Sequence, residues 1–483
     1  MTPRTQAFIG GRFVDAADGA TFPDVSPRDG TVIAGVARGR AQDIDRAVRS
    51  ARVAFERGEW ALADPAQRGR VLTRLAELMS ERLPELALIE ARDTGHPIAD
   101  ARGVDVPNAA RCIAWYGAAI DKVYGEIAPT AADALALIGR EPLGVVGAVV
   151  PWNYPLIISA WKLAPALAAG NSVVLKPAEQ SPLSALALAE LAAEAGLPDG
   201  VLNVVPGYGE EAGQALGRHP GVDKVAFTGS VEVGRMFLRY AGESNGKAVS
   251  LELGGKSPQL VLADAADLQA AAEAIGWGIF YNAGQTCHAG SRVVVERGVR
   301  DELVERLRSV AATFVPADPL AQDTVLGAMI SGEHLDGVLA HVAGARADGA
   351  RVLWGGARVA PVPGGAYMEP TLIEADDPGL AVVQEEVFGP VLVIQTAQDV
   401  DHALTLANDT RYGLAAAIWT SNLTTAGRLA RRLRAGTVWV NTFDASSMAT
   451  PFGGVKDSGH GRDRSLHALD AYTQLKTTWI SLA

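Results

Sequence analysis

Cys287 lies in Asn282-Ala-Gly-Gln-Thr-Cys-His-Ala-Gly-Ser291, a glycine-bounded polar segment. A cysteine taken alone is more often an apolar filler. Small and polar flanks pack poorly, however, and they leave a thiolate accessible. Cys112, in Ala109-Ala-Arg-Cys-Ile-Ala114 within a helical pattern, suits the filler reading better. His288 follows Cys287 directly and is expected to point to the opposite side of any local turn, so no Cys–His dyad is implied. Glu252 sits at the end of an apolar strand, in Ser250-Leu-Glu-Leu-Gly-Gly-Lys256. A carboxylate there must face a cleft or be paired, because an unpaired charge in a sheet core is costly. The cleft is the reading favoured by position, since ligand sites of open α/β sheets lie beyond the carboxyl ends of the strands; the alternative is a structural Glu–Lys pair. Gly254-Gly255 lets backbone approach a bound molecule closely. Asn153, in Pro151-Trp-Asn-Tyr-Pro155, has an amide that can donate to a developing oxyanion or cap the next helix, and both readings stay open.

Other residues suit an anionic ligand. Gly229-Ser-Val-Glu-Val-Gly234 follows the apolar strand KVAFT and opens a helix, so backbone N–H groups there can face a phosphate. That spacing is a weak signal alone, and no G-x-G-x-x-G fingerprint follows any expected strand. Lys176 and Glu179, just past SVVLK, are placed to meet a ribose. The acid would repel a 2′-phosphate, which favours NAD over NADP. Eight histidines are scattered without metal-ligand spacing, so no metal site is expected.

The elements that must position these residues follow from apolar periodicity. Residues 40–122 read as mostly helical, with amphipathic helices at 41–55, 65–81 and 84–94. From Gly144, short valine-rich runs at 145–150, 172–176, 201–205, 224–228 and 249–253 alternate with helical stretches, which indicates a parallel, doubly wound sheet. Ser181 is expected to cap a helix with Pro182 in its first turn. The alternation restarts with a helix over 265–283, a strand over 292–296, a helix over 300–312, and strands over 391–396, 414–419 and 437–441. Extended stretches at 130–140 and 474–482 fall outside both sheets and suggest an oligomerisation arm, with a sheet edge as the alternative.

Composition narrows the function classes. With 43 Lys and Arg against 55 Asp and Glu, the 483-residue chain carries a net charge of −12. An acidic surface repels nucleic acid and anionic lipid, so neither is expected as a partner. Two cysteines cannot form a disulfide framework, and the N-terminus has no apolar signal segment, so a cytoplasmic protein is expected.

Seven ordered segments together resemble the NAD(P)-dependent aldehyde dehydrogenase superfamily along nearly the whole chain. They are PWNYP (151–155), WKLAPALAAGNSVVLKPAEQSPL (161–183), FTGSVEVG (227–234), LELGGKSP (251–258), NAGQTCHAGSR (282–292), EEVFGPV (385–391) and PFGGVKDSGHGR (451–462). The resemblance implies an α/β fold: a Rossmann-type cofactor domain (1–123 and 142–253), an α/β catalytic domain (254–455), and a small β arm with the C-terminal segment (124–141 and 456–483). That family's nucleotide site lacks the usual glycine fingerprint. The resemblance further implies Cys287 as nucleophile, Asn153 as oxyanion donor and Glu252 as the base for water, with Lys162 near the oxyanion side. Cofactor contacts would come from Val150, Pro151, Trp152, Lys176, Glu179, Gly229, Ser230, Gly234, Leu253, Gly254, Glu386 and Phe388, with NAD expected over NADP. Tyr154, Ser159, Trp161, Thr286, His288, Asp444 and Phe452 are expected around the aldehyde.

Residues 460–480 look most like the 4-guanidinobutyraldehyde and γ-glutamyl-γ-aminobutyraldehyde dehydrogenases, with Asp463 after the Gly-Arg pair as in that subgroup. The loop at 441–450 keeps Asp444 but has Ser446 and Ser447 where a further acid is expected, a departure that bears on recognition of a cationic tail. The reading is therefore NAD-dependent oxidation of an ω-amino, guanidino or γ-glutamylamino aldehyde by a homo-oligomer, dimer or tetramer. Alternatives are a broad-specificity or betaine aldehyde dehydrogenase, a CoA-acylating one, and a cofactor-free thiol hydrolase. Glu252 argues for water over CoA.

Overall fold

Valine-rich runs become the middle of two sheets in the computed structural model, which describes residues 3–483. In the first sheet, Val145–Val149 lies between Ser172–Lys176 and Lys224–Gly229 and runs parallel to both. Its five residues are all buried, which is why the run shows no polar alternation. Leu202–Val204 continues the sheet on one side, and Ala248–Leu253 on the other. Strand order thus reverses between Val145–Val149 and Lys224–Gly229, and a crevice opens at their carboxyl ends. The antiparallel hairpin of Ala7–Ile9 with Arg12–Val14 closes one edge, and Gly459–His460 pairs along the other.

Gly254-Gly255 carries the chain directly into Pro258–Val261, a central strand of the seven-stranded second sheet. Arg292–Glu296 and Ala415–Trp419 flank that strand in parallel. Outside both sheets, Ala134–Pro142 and Thr473–Ser481 pair antiparallel along their whole lengths, with Glu126–Ala128 as a third strand. The extended stretch expected from residue 130 therefore begins at Ala134, after a turn. Among the described residues no helix is long and apolar enough to cross a membrane.

Two helices packed against the first sheet start without caps of their own. Pro155–Ala168 is buried at every position, as its lack of a polar face requires. Its Leu156 N–H donates to Glu90 Oε1 at 3.1 Å. The helix expected to begin at Ser181 begins instead at Leu183, without a side-chain cap from Ser181 or Pro182. Leu183 N–H donates to Asp93 Oδ2 at 2.9 Å. Glu90 and Asp93 sit on one helix, Leu83–Thr94, so a neighbouring helix supplies what the local sequence does not. Leu268–Phe280 is also shorter than the expected 265–283. Asp267 caps it, and Asn282 and Ala283 adopt left-handed backbone that ends it and turns the chain toward Cys287.

Candidate active site

A cavity of about 600 Å³ opens at the reversal point, and residues from both sheets line it. Cys287 is on its surface and partly exposed. Cys112 is fully buried, its Sγ directed at the Ala160 carbonyl at 3.7 Å, and burial drives its thiol pKa far up. The two cysteines therefore divide as their flanking residues suggest.

Three strand ends of the first sheet supply one side of the cavity. Pro151, Trp152, Asn153 and Tyr154 follow Val145–Val149; Gly229 and Ser230 close Lys224–Gly229; Glu252, Leu253 and Gly254 end Ala248–Leu253. Asn153 does not cap the following helix, whose first free N–H is taken by Glu90. Its amide reaches across to the Gln285 carbonyl at 2.8 Å, and Asn282 Nδ2 donates back to the Asn153 carbonyl at 3.0 Å. That bridge ties the first sheet to the turn bearing Cys287 and leaves one amide N–H of Asn153 for a ligand.

Glu252 is buried, and neither carboxyl oxygen has a hydrogen-bond partner. Burial pushes its pKa up to about 8; Asp463 adds repulsion, and Lys162 opposes it. Lys162 donates to Asp463 Oδ2 in a buried ion pair. It lies behind the cavity surface, so its influence on Glu252 is electrostatic and not by contact. The Cys287 thiol is likewise raised well above its ordinary value by burial, then by Glu252 and Glu386. Glu386, from the second sheet's side, accepts from Gly255 N–H at 3.0 Å, and burial lifts its pKa to about 7. A Cβ on Gly254 would fall 1.8 Å from Glu386 Oε2, so only glycine permits this approach. Phe388, in left-handed backbone, stacks edge-on against Trp152 at 5.3 Å.

Ser230 caps Val231–Glu243 through the Val233 N–H at 3.3 Å, leaving that helix's N-terminus beside the cavity. Lys176 donates to Glu179 at 2.8 Å, and Glu179 borders a neighbouring hollow shared with Tyr208. Gly234 differs from expectation. A Cβ there would strike the Leu253 side chain at 2.8 Å, so its role is helix-on-strand packing. Val150 is also buried and off the cavity surface.

Tyr154 on the first sheet's side, and Trp161, His288, Asp444 and Phe452 on the opposite side, all line the cavity as expected. Ser159 does not; it is fully buried within its helix, which is buried at every position. Thr286 also faces inward, its hydroxyl paired with the Tyr154 phenol at 2.7 Å. The His288 ring corrects another expectation. Its Nδ1 is 3.8 Å from Cys287 Sγ, and its Nε2 lies 2.9 Å from Asp444 Oδ1. The ring turns back toward the sulfur because Asp444, itself in left-handed backbone, and the Trp439 and Phe452 rings hold it there. Trp115, Trp439, Met448 and Arg464 also line the cavity without local sequence signals that mark them. Only folding brings them together.

Comparison with known proteins agrees with this architecture. The chain matches the aldehyde dehydrogenase family over residues 13–478. It is 52% identical over 475 residues to the NADP/NAD-dependent aldehyde dehydrogenase PuuC of Escherichia coli, covering 98% of this chain and 95% of that one. Among solved structures, an indole-3-acetaldehyde dehydrogenase in complex with NAD+ superposes with a TM-score of 0.99 at 50% identity, covering 100% of this chain and 97% of the other. A γ-glutamyl-γ-aminobutyraldehyde dehydrogenase from Burkholderia cenocepacia superposes with a TM-score of 0.98 at 52% identity, covering 100% and 98%. A cysteine, a raised-pKa glutamate and an asparagine amide converge in one cavity at the reversal point of the first sheet, and on that ground and these matches the chain belongs to the aldehyde dehydrogenase family.

Proposed function

We propose that the protein oxidises an aldehyde with a nitrogen-bearing tail (ω-amino, guanidino or γ-glutamylamino) to the carboxylic acid, with NAD as acceptor. The single observation that carries this reading is the sharing of one cavity surface by Cys287, Glu252 and Asn153. The names of the PuuC relative and the γ-glutamyl-γ-aminobutyraldehyde dehydrogenase neighbour support the nitrogenous tail.

The Cys287 thiolate attacks the carbonyl carbon, forming a C–S bond and placing negative charge on the oxygen. The Asn153 amide N–H and the Cys287 backbone N–H receive that charge. When bound, NAD supplies the hydride acceptor. The acyl group is then held as a thioester on Cys287, and Glu252 takes a proton from the water that cleaves it, releasing acid and thiol. The Lys162–Asp463 pair sets how readily Glu252 holds that proton.

The residues fit the dinucleotide. Ser230 and the helix N-terminus behind it suit the pyrophosphate. Lys176 and Glu179 suit the adenosine ribose, with Glu179 disfavouring a 2′-phosphate. Glu386, pressed against Gly254, and Phe388 suit the nicotinamide ribose, with Pro151, Trp152, Gly229 and Leu253 as the floor.

The three-stranded sheet outside the main layers is read as an interface between copies of this chain. Leu475, Trp479 and Ile127 on it are each more than half exposed, at 63%, 65% and 71%. A dimer or tetramer would cover them. Both thiols stay reduced on this reading, which places the protein in the cytoplasm.

The test is NADH formation with a panel of aldehydes, followed by product analysis with and without CoA. Free acid at equal rates in both supports hydrolysis by water. Acyl-CoA as product, or ester hydrolysis without NADH, would remove this reading.

A further inference from the structure

Arg464 occupies a place that the oxidation chemistry does not explain. It is 6% exposed, yet it lines the cavity that holds Cys287. Its guanidinium carbon lies 5.1 Å from the Trp161 ring centroid and 5.0 Å from that of Phe452. Both rings are cavity walls, so π faces hold the cation and leave its donors to find other partners. Among the described residues it finds none: Nε has no hydrogen-bond partner, and no carboxylate forms an ion pair with it. Three acids act on it through space, Asp444, Asp463 and Glu252; the first two are engaged elsewhere, Asp463 with Lys162 and Asp444 with His288, and Glu252 forms no ion pair with it. Arg464 and Ser465 also adopt left-handed backbone, at φ 62° and 53°, a conformation non-glycine residues hold only against strain. A buried guanidinium nitrogen without an acceptor is costly, and for Nε that cost is recovered when an acceptor arrives.

We propose that Arg464 is a specificity-determining residue that receives the carboxylate or amide carbonyl at the distal end of the aldehyde's tail. This rests on the aldehyde-oxidising reading and deepens it. A tail ending in a cation alone would meet a like charge here in a water-poor site. A tail carrying an amide or carboxylate satisfies the planar donors of Arg464, in bidentate fashion for a carboxylate. Of the three tail classes proposed above, this selects the γ-glutamylamino class.

The experiment compares aldehydes of one length that differ at the far end: adipate semialdehyde, aminohexanal and hexanal. The wild type, Arg464→Lys and Arg464→Met are each measured by kcat/KM. Hexanal serves as the internal reference, so each result is a ratio to it. The carboxylate-to-hexanal ratio should fall roughly tenfold to a hundredfold in Arg464→Met, mainly through KM, and be partly kept in Arg464→Lys. The ammonium-to-hexanal ratio should rise. In parallel, adipate should quench tryptophan fluorescence in the wild type and lose affinity by a similar factor in Arg464→Met. An equal fall for all three tails, or a wild type that prefers the ammonium tail and keeps that preference in Arg464→Met, overturns the assignment. Arg464-dependent adipate binding without turnover of any aldehyde would instead count against the oxidising reading and leave the acceptor site standing. Unchanged adipate binding in both variants overturns the acceptor site itself.

Discussion

Backbone at the carboxyl ends of adjacent parallel strands builds one side of the cavity, whereas side chains delivered by separate loops and helices build the other. On the first side, ladder register decides position: Gly229 stands opposite Leu253, and Phe227 opposite Val149, so Ser230, Gly254 and Pro151 follow from strand pairing. On the second side, Trp161 comes from a buried helix, His288 from the turn after the left-handed pair Asn282-Ala283, and Asp444, Phe452 and Arg464 from irregular chain. Asp444 and Arg464 are both held in left-handed backbone. Elements fixed by hydrogen-bonded ladders hold the general chemistry, and loops free to differ hold the selectivity. Cys287 stands where the two sides meet, joined to the first by the Asn153–Gln285 hydrogen bond.

The largest expected effect separates the two sides outright. Cys287→Ala should lower turnover at least about a thousandfold, because no covalent intermediate can form. NAD affinity should stay within about twofold, since none of the proposed cofactor contacts is made by the Cys287 side chain. Calorimetric titration with NAD checks this, and a joint collapse of turnover and NAD affinity would show that the two sides are not independent.

Glu252→Gln should follow in size, slowing the steady state by about a hundredfold to ten-thousandfold. A burst of NADH, up to one per active site, should precede the stall, because only thioester cleavage needs the carboxylate. The pH profile sharpens this. A base must be ionised to accept a proton, and a carboxyl with pKa about 8 is only about one-tenth ionised at neutral pH. The steady-state rate of the wild type should therefore rise with pH and level off above about 8. In Glu252→Gln the limb due to deacylation should vanish; if it persists, the base is another group.

Legibility in the sequence divides along the same line. SVVLK at 172–176 and the strand at 292–296 match the observed strands residue for residue, because short valine-centred runs bounded by turn-forming residues, Gly170-Asn171 and Pro177 for the first and Gly290 and Gly298 for the second, admit few other structures. The glycines at 229 and 254 and the carboxylate of Glu252 were legible because a charge or a bare backbone at a strand end needs a ligand-like reason. The helix start at Leu183 was not, since its cap comes from Asp93, some ninety residues earlier in the chain. Nor was the His288 orientation, which Asp444 imposes from a distant loop. Arg464 gives no local signal, because an arginine in a polar segment reads as a solvated charge until Trp161 and Phe452 enclose it.

A smaller effect should stay on the strand-built side. In Glu179→Ala the buried Lys176 ammonium loses its side-chain partner Glu179 and stands ready for a phosphate. The NAD-to-NADP preference in kcat/KM should narrow by roughly tenfold, about the effect of one charged contact. Ratios among aldehyde tails should not move. A change in tail preference would break the division between the two sides.

The smallest effect tests the support behind both. Asp93 accepts from Leu183 N–H and lies beside Asp24, and each carboxyl is buried. Burial pushes Asp24 up to about 6; burial and the neighbouring Asp24 push Asp93 well above the ordinary carboxylate range. Folded-state pKa values above the unfolded ones mean that stability is fullest below the unfolded value and is lost as pH rises through about 6. Asp93→Ala removes the acceptor, orphans the N–H and should cost about 1 kcal/mol in chemical denaturation at pH 5, before most of that loss. Asp93→Asn keeps a carbonyl oxygen for Leu183 and removes one of the two acids, so its stability should fall less than the wild type's between pH 5 and 8. Parallel pH slopes for Asn and wild type would show that the pair does not couple across the fold. Aldehyde selectivity should be the same in both variants, because helix capping sets where the strand-built side rests and not what the loops recognise.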